Sequence, residues 1–391
     1  MSKFKSCKGK IFTTTKKAST RFGQNWVEQS WNKALAKFRS TGEKKTLSRY
    51  GKIDIAKNHV YSEAVQGYQI SPYMQEKMVL VAQGSPYQES AGLLEQLLGV
   101  AVSVMQLHRV TNTYGEMLEK QKIESQLEEV VHQAVGDVKS GEVVYAQADG
   151  SMILTREEKW KEVKAGRIFK QSDCLCTGDG RQRGWIKQSE YEACLGNSKK
   201  FTARFEQQLE IYRPLGERLM LVSDGAPWIK NWIDDTFPCA TQVLDWYHCK
   251  QHLCGFAEQY FADKEQRESW VEQQTGLLYE SQTGKAIGNI RMLPVKNKKQ
   301  RKSKEQLLQY YTVNAGRMDY KRYRQTGAGI IGSGAIEAAH RHVIQKRMKL
   351  SGQRWSKKKA QYMLNLRTTK LSGHWNKIVQ MISSSPIKKA A

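Results

Sequence analysis

Two apolar runs in this chain end in the same dipeptide. "YAQADGSMI" stays apolar up to Asp149-Gly150, and "ERLMLVSDGAPWI" carries an unbroken apolar stretch, Leu219 to Val222, up to Asp224-Gly225. A short continuous run of this kind suits a strand covered on both faces. The segment after the second run, Pro227 to Phe237, is helix-like, and a third run, "TQVLDWY", ends at Asp245 and leads into the helical "HCKQHLCGFAEQYF". Strands alternating with helices restrict the fold to α/β with a mixed or parallel sheet, whose sites lie beyond the carboxyl ends of adjacent strands. "WKEVKAGRIF" alternates apolar and polar residues as a half-buried strand does.

An isolated Asp-Gly is ordinarily a turn, because Asp bonds its own backbone and Gly accepts positive φ. "GEVVYAQADGSMIL" accordingly reads as a strand that bends at Asp149-Gly150. Two such acids, 75 residues apart (224 − 149), would also place two carboxylates side by side at one sheet edge. Downstream, "IGSGAIEAAHRHVIQKRMKLSGQRWS" offers Glu337 near the start of a long helix. Three converging carboxylates would hold two divalent cations about 4 Å apart, which clamp the attacking and leaving oxygens in phosphoryl transfer. Such chemistry needs no protein nucleophile, and the chain shows no Ser-His-Asp or Cys-His arrangement.

Charge narrows the partner. The 391 residues carry 63 Lys and Arg against 38 Asp and Glu, a net charge of +25, which points to a polyanion. Length suggests two or three domains, and 39% hydrophobic residues with ten tryptophans suggest a packed protein. No apolar run approaches the roughly 20 residues that span a bilayer, and "MSKFKSCKGKIFTTT" lacks the core of a signal peptide. A soluble protein of the prokaryotic cytoplasm, without membrane contact, is expected. Seven scattered cysteines without a CxxC pair suit reduced thiols. "HCKQHLC" sets His248 and His252 at i, i+4, which admits a zinc site or ordinary helix residues.

Residues 1–65 form a basic N-terminal region. Met1 to Tyr50 holds thirteen Lys or Arg and two acids, with Trp26 and Trp31 as apolar anchors, and reads as a flexible arm or a small helical piece. Residues 66–138 read as helical. "SPYMQEKMVLVAQ" and "SPYQESAGLLEQLLG" each place Pro at the first helical position, and a third helix spans Ser103 to Leu118. This is the pattern of a helix-turn-helix, with Gln106, Arg109 and Asn112 facing DNA, and equally that of a plain three-helix bundle. An acidic helix, "EKQKIESQLEEVVHQAV", follows.

Asp-Gly-Ser after one strand, "SDGAPWI" after the next, "LDWYHC" soon after and "GSGAIE" on a late helix, in that order, resemble DDE transposases of bacterial insertion sequences. The likeness is nearest to the Kra type, with the Lre type second, over roughly Ser71 to Trp375. It implies a ribonuclease-H-like catalytic domain over 139–255 and 326–375. It further implies a metal triad of Asp149, Asp224 and Glu337 holding two Mg²⁺ or Mn²⁺ ions. An Asp-x-x-His element, Asp245 and His248, would lie near the active site or DNA end, where His248 orients DNA, assists proton transfer or simply caps a strand-to-helix junction. "RMKLSGQRWS", with Arg347, Lys349, Arg354 and Trp355, would contact double-stranded DNA, on which such enzymes act as dimers or larger assemblies. A DNA-binding regulator derived from a transposase and a two-metal structure-specific nuclease are the alternatives.

Two features depart from that family pattern. No cysteine pair precedes the helical region, and 113 residues (337 − 224) separate the second acid from the third. A helical insertion over 256–325 fills that gap. Within it "RMLPVKNKKQRKSK", with seven Lys or Arg and no acid, reads as a solvated loop or a phosphate-tracking one. Tyr310, Tyr311, Tyr320 and Tyr323 read as packing, as do Trp228 and Trp232. Residues 376–391 read as a basic tail.

Overall fold

The computed structural model describes residues 43–48, 51–56, 70–127, 141–176, 184–210 and 218–387. Residues 1–42 of the segment expected as a flexible arm or a small helical piece, Trp26 and Trp31 included, and the end of the acidic helix lie outside the described residues, while Glu43–Ser48 of that segment is a strand. Contacts divide the chain into two units, one of Met1–Val81, Tyr87–Val110 and Val379–Ala391, the other of Ala82–Pro86 and Thr111–Ile378.

In the first unit β1 (Glu43–Ser48) pairs antiparallel with β2 (Gly51–Ala56). Three helices follow where three are expected, α1 (Pro72–Ala82), α2 (Tyr87–Leu98) and α3 (Val104–Leu127), but α3 runs past Leu118 without a break into the segment expected as a separate acidic helix, and its later turns belong to the second unit. Their starts are set locally. The Ser71 hydroxyl accepts from the Met74 N–H at 3.3 Å, and Pro72, lacking an N–H, loses nothing in the first turn. Ser103 and Gln106 cap α3 reciprocally: the Gln106 N–H donates to Ser103 Oγ at 3.2 Å, and the Ser103 N–H donates back to Gln106 Oε1 at 3.4 Å. Met74, Met78, Val79, Leu94, Leu107 and Val110 are buried.

The second unit is built on a five-stranded mixed sheet of order β7-β4-β3-β8-β9. The strands are β3 (Val144–Thr155), β4 (Lys159–Lys170), β7 (Glu190–Leu195), β8 (Leu219–Ser223) and β9 (Thr241–Leu244), with β5 (Cys174–Cys176) and β6 (Gly184–Ile186) paired apart from it. β3, β4 and β7 run antiparallel; β3, β8 and β9 run parallel. Side chains alternate between faces. Val144, Ala146, Ala148, Leu219 and Leu221 pack with Phe201, Phe205 and Trp232 from α4 (Ser198–Glu210) and α5 (Pro227–Thr236). Tyr145, Met220 and Val222 join a separate core with α6 (Trp246–Tyr260), α7 (Lys264–Tyr279), α8 (Thr283–Met292), α9 (Lys298–Asn314) and α10 (Tyr320–Arg324). The segment between β9 and Glu337 is therefore helical. Tyr311, Tyr320 and Tyr323 are buried in its core with Tyr310 against them, and Trp228 and Trp232 pack in the other core.

The chain closes with α11 (Gly334–Ala339), a π-helical turn (His340–Gln345), α12 (Lys346–Met348), α13 (Lys357–Leu371) and α14 (Trp375–Ser384).

Four expectations are corrected. Asp149-Gly150 is no turn: β3 runs straight through it, with Asp149 opposite Ala165 and Gly150 opposite Lys164. Gly150 lets the Glu162 carboxylate lie against the strand, and a β-carbon there would push that flexible carboxylate aside. β4 is buried from Val163 to Phe169 rather than half-buried, because both its faces are covered, Gly166 by Phe205 of α4 and Arg167 by the helix whose Ala335 carbonyl it bonds, and Lys164 pairs with Glu162. The basic run is a loop only between α8 and α9: Asn297 Oδ1 accepts from the Gln300 N–H at 2.9 Å and starts α9 among the lysines, so of the seven cations only Lys296 lies in the loop. The expected tail is helical over most of its length, with Ile378, Met381 and Ile382 buried.

Gly166 sits in β4 where a β-carbon would enter the Phe205 ring. Gly166→Ala is expected to lower stability by about 1–3 kcal/mol through overpacking, read from the denaturant midpoint.

Candidate active site

β3 and β8 pair in parallel with Gln147 opposite Val222, a register offset of 75 residues. The same offset separates Asp149 from Asp224, so the two acids stand level where that pairing ends. Alternation puts Asp149 on the face of Tyr145 and Gln147, and Asp224 on the face of Met220 and Val222. Unlike Asp149-Gly150, Asp224-Gly225 is a true turn: Gly225 has φ +91°, and the Ala226 N–H donates to Asp224 Oδ1 at 2.8 Å. Oδ1 of Asp149 accepts from the Gly150 N–H at 2.6 Å, while Oδ2 faces Nε2 of His340 at 3.8 Å. Burial, with the charge of Asp224 beside it, holds the Asp149 carboxyl above its usual range, against the pull of His340, the Gly150 N–H and His248.

The helix bearing Glu337 is fastened over this face by buried polar groups. Gln147 Oε1 accepts from the Ile336 N–H at 2.8 Å and its Nε2 donates to the Gly332 carbonyl at 3.0 Å. Nη1 of Arg167 donates to the Ala335 carbonyl at 2.8 Å, and Asp245 Oδ1 accepts from the Ser333 N–H at 2.9 Å. Glu337 itself is exposed, and its Oε1 accepts from the Ser333 hydroxyl at 2.9 Å. Among the described residues no three His, Cys, Asp or Glu side chains are gathered to hold a metal ion, so the structure brings Asp149 and Asp224 together and leaves Glu337 out of that pair, bound to Ser333.

Asp245, wholly buried, caps α6 by accepting from the Tyr247 and His248 N–H groups, and Nδ1 of His248 donates to its Oδ2 at 2.5 Å. That bond raises the His248 pKa above its ordinary value; burial opposes it, and Asp224 and Asp149 add to it. The pair therefore stabilises the fold fully below about pH 6.5 and less as pH rises through the raised value. Asp245→Asn leaves one acceptor oxygen for four donors. We expect a loss of about 3 kcal/mol in denaturant unfolding and an NMR titration of His248 moved to lower pH.

The remaining "HCKQHLC" residues point elsewhere. The His252 ring stacks on Tyr310 with centroids 4.0 Å apart, and Cys249 is buried. Of the expected DNA contacts, Lys349 and Arg354 are exposed. Arg347 and Trp355 offer DNA no surface. Arg347 is 1% exposed, donates from Nε to the Ala82 carbonyl at 3.0 Å and lies over the Trp355 ring, whose Nε1 donates to the Met348 carbonyl. Gln106, Arg109 and Asn112 lie three residues apart on α3 and are half-buried, Gln106 being engaged in the cap. Sequence reading passed over Gln147, Arg167 and His340. Only His340 carried a signal, standing three residues after Glu337 on one helix face.

The family model of UPF0236, an uncharacterised protein family, matches residues 63–384. The chain belongs to the UPF0236 family. Asp149, Asp224, Asp245, Glu337 and His340 all lie inside the matched span of this UPF0236 chain. A curated relative, the UPF0236 protein in the vanSb 3′ region of Streptococcus gallolyticus, is 26% identical over 199 residues. That match covers 49% of this chain and 41% of the relative's own length. Among the described residues no helix is long and apolar enough to cross a membrane.

Proposed function

We propose that this UPF0236 chain is a DDE transposase: it binds the terminal inverted repeats of a mobile element, cuts a phosphodiester at the end and joins the freed 3′-hydroxyl to target DNA. The observation that carries the reading is the level pair Asp149 and Asp224 on adjacent parallel strands, beneath a glutamate-bearing helix held there by Gln147. The mixed sheet, three antiparallel strands extended by two parallel ones, supports a ribonuclease-H-like catalytic domain. The net charge of +25 and exposed Lys349 and Arg354 support a DNA partner. α1 to α3 would serve as the helix-turn-helix, and two copies would bring two ends together.

The residues fit Mg²⁺ or Mn²⁺ in kind. Carboxylate oxygens are the ligands such ions take, and a cation would relieve both the burial of Asp149 and its repulsion from Asp224. Asp149, Asp224 and Glu337 would hold two ions, which supply an activated water or hydroxyl and charge stabilisation at the departing oxygen. The side chains do the rest. The strands fix the two aspartates, Gln147, Arg167 and Asp245 set the height of the Glu337 helix, and Glu337 leaves the Ser333 hydroxyl to join them. His248, whose pKa is raised by its bond to Asp245 and which is half-exposed, would present a proton and, when protonated, a positive charge to the DNA backbone.

The test is a cleavage and joining assay with labelled DNA from the flanks of the gene, with and without Mg²⁺. Metal-dependent nicks followed by joined products establish the transposase. Nicks without joining mark a nuclease, and binding without any product marks a regulator.

A further inference from the structure

His340 opens the π-helical turn His340–Gln345, an irregularity that frequently marks a functional site. The residue is 7% exposed, and no hydrogen bond of good geometry reaches its buried Nε2, although the Asp149 backbone lies near enough to favour the charged ring. A buried nitrogen left so costs about 1–3 kcal/mol unless something satisfies it. It faces Asp149 Oδ2 at 3.8 Å, which is too long for a hydrogen bond. Two ligands of one ion, each about 2.1 Å from it, stand about 3 Å apart at a right angle and about 4 Å apart when splayed. The observed separation falls in that range. His248 is the rival ligand, because the bond of its Nδ1 to Asp245 leaves Nε2 free; among the described residues, however, it is His340 whose ring nitrogen comes within 4 Å of an Asp149 oxygen.

We infer that His340 is a nitrogen ligand to the divalent cation held by Asp149, so that the acidic site is a mixed carboxylate and imidazole one. The inference rests on the metal reading proposed above and extends it to a residue outside the three carboxylates. Its consequence is selectivity. Mg²⁺ takes oxygen ligands almost exclusively, whereas an imidazole favours Mn²⁺ and the later transition ions, so the site should prefer Mn²⁺.

The test is pulsed electron paramagnetic resonance of the full chain loaded with Mn²⁺, which detects a directly bound imidazole through its nitrogen coupling. We expect nitrogen modulation in the wild type, a changed pattern when histidine is ¹⁵N-labelled, persistence in His248→Gln and disappearance in His340→Gln. Calorimetry should show His340→Gln weakening Mn²⁺ about tenfold or more and Mg²⁺ much less. Histidine labelling together with persistence of the coupling in His248→Gln keeps the test decisive even if His340→Gln fails to fold, since His340 and His248 are the histidines that act on Asp149. Mn²⁺ bound without nitrogen coupling, with binding lost in Asp149→Asn, overturns the role of His340 and leaves the carboxylate site standing. No Mn²⁺ bound overturns the metal reading and this inference with it.

Discussion

Asp149→Asn is expected to abolish Mg²⁺-dependent cleavage of end DNA, by about a thousandfold or more, while melting at a higher temperature than the wild type. The two effects share one cause. Asp149 lies partly buried beside Asp224, and both circumstances raise its pKa. An acid whose folded pKa exceeds its unfolded value subtracts stability wherever it is ionised, that is, above the unfolded pKa near 4. The neutral isostere removes that penalty at pH 7, and the advantage should vanish in acid, where the wild-type carboxyl is protonated in both states. Added Mg²⁺ should reverse the order at neutral pH, because it stabilises only the chain that binds it. Melting curves at pH 7 and pH 3, with and without Mg²⁺, together with end-DNA binding, check the prediction. Unchanged DNA affinity with lost cleavage fits a residue that serves the chemistry alone. Retained cutting removes Asp149 from the site, and a lowered melting temperature shows that the carboxylate is structural.

What could be read from the sequence was whatever local periodicity and local chemistry dictate. Runs such as Leu219 to Val222 declare themselves, and the order of strands and helices around them set the α/β class. That Asp149 and Asp224 each close an apolar run was legible too, whereas their standing level depends on a register offset equal to their 75-residue separation, which only the pairing of β3 with β8 shows. Partners distant in sequence were not. Asp149-Gly150 looks like a turn because nothing local reveals that β4 pairs along the whole of β3 and that Glu162 crowds Gly150 from the facing strand. Arg347 looks like a phosphate ligand because its charge is visible and the Ala82 carbonyl, 265 positions away, is not. Gln147 and Arg167 are polar letters in strands whose bonds, at sequence separations of 185 and 168, appear only once the Glu337 helix lies across the sheet. The mistaken loop has a local cause: Asn297 is a capping residue, and the lysines after it obscured an ordinary helix start.

Glu119→Gln should lower stability by about 3–5 kcal/mol, roughly 10 °C in melting temperature for a unit of this size, with no direct effect on the acidic site. Glu119, on the later part of α3, accepts from Arg204 through both oxygens, at 3.1 and 3.0 Å, from Lys200, and from Asn365 Nδ2 at 2.8 Å, so one carboxylate ties α3 to α4 and α13. Burial pushes its pKa up, yet the bonds from Arg204, Lys200 and Asn365 outweigh burial and hold it below the ordinary value. A depressed folded pKa means the contribution is complete above the unfolded pKa, near 4.5, and is lost as pH falls through the folded one. The gap between wild type and Glu119→Gln should therefore close on acidification below about pH 4. The large cost lies with the partner: Arg204 is 2% exposed and cannot turn to water, whereas Lys200 can. Removing both charges should then hurt less than removing one. Urea unfolding of Glu119→Leu with Arg204→Met is expected to recover most of the loss, and a double variant as unstable as Glu119→Gln would show that the ion pair itself, rather than the stranded arginine, carries the energy.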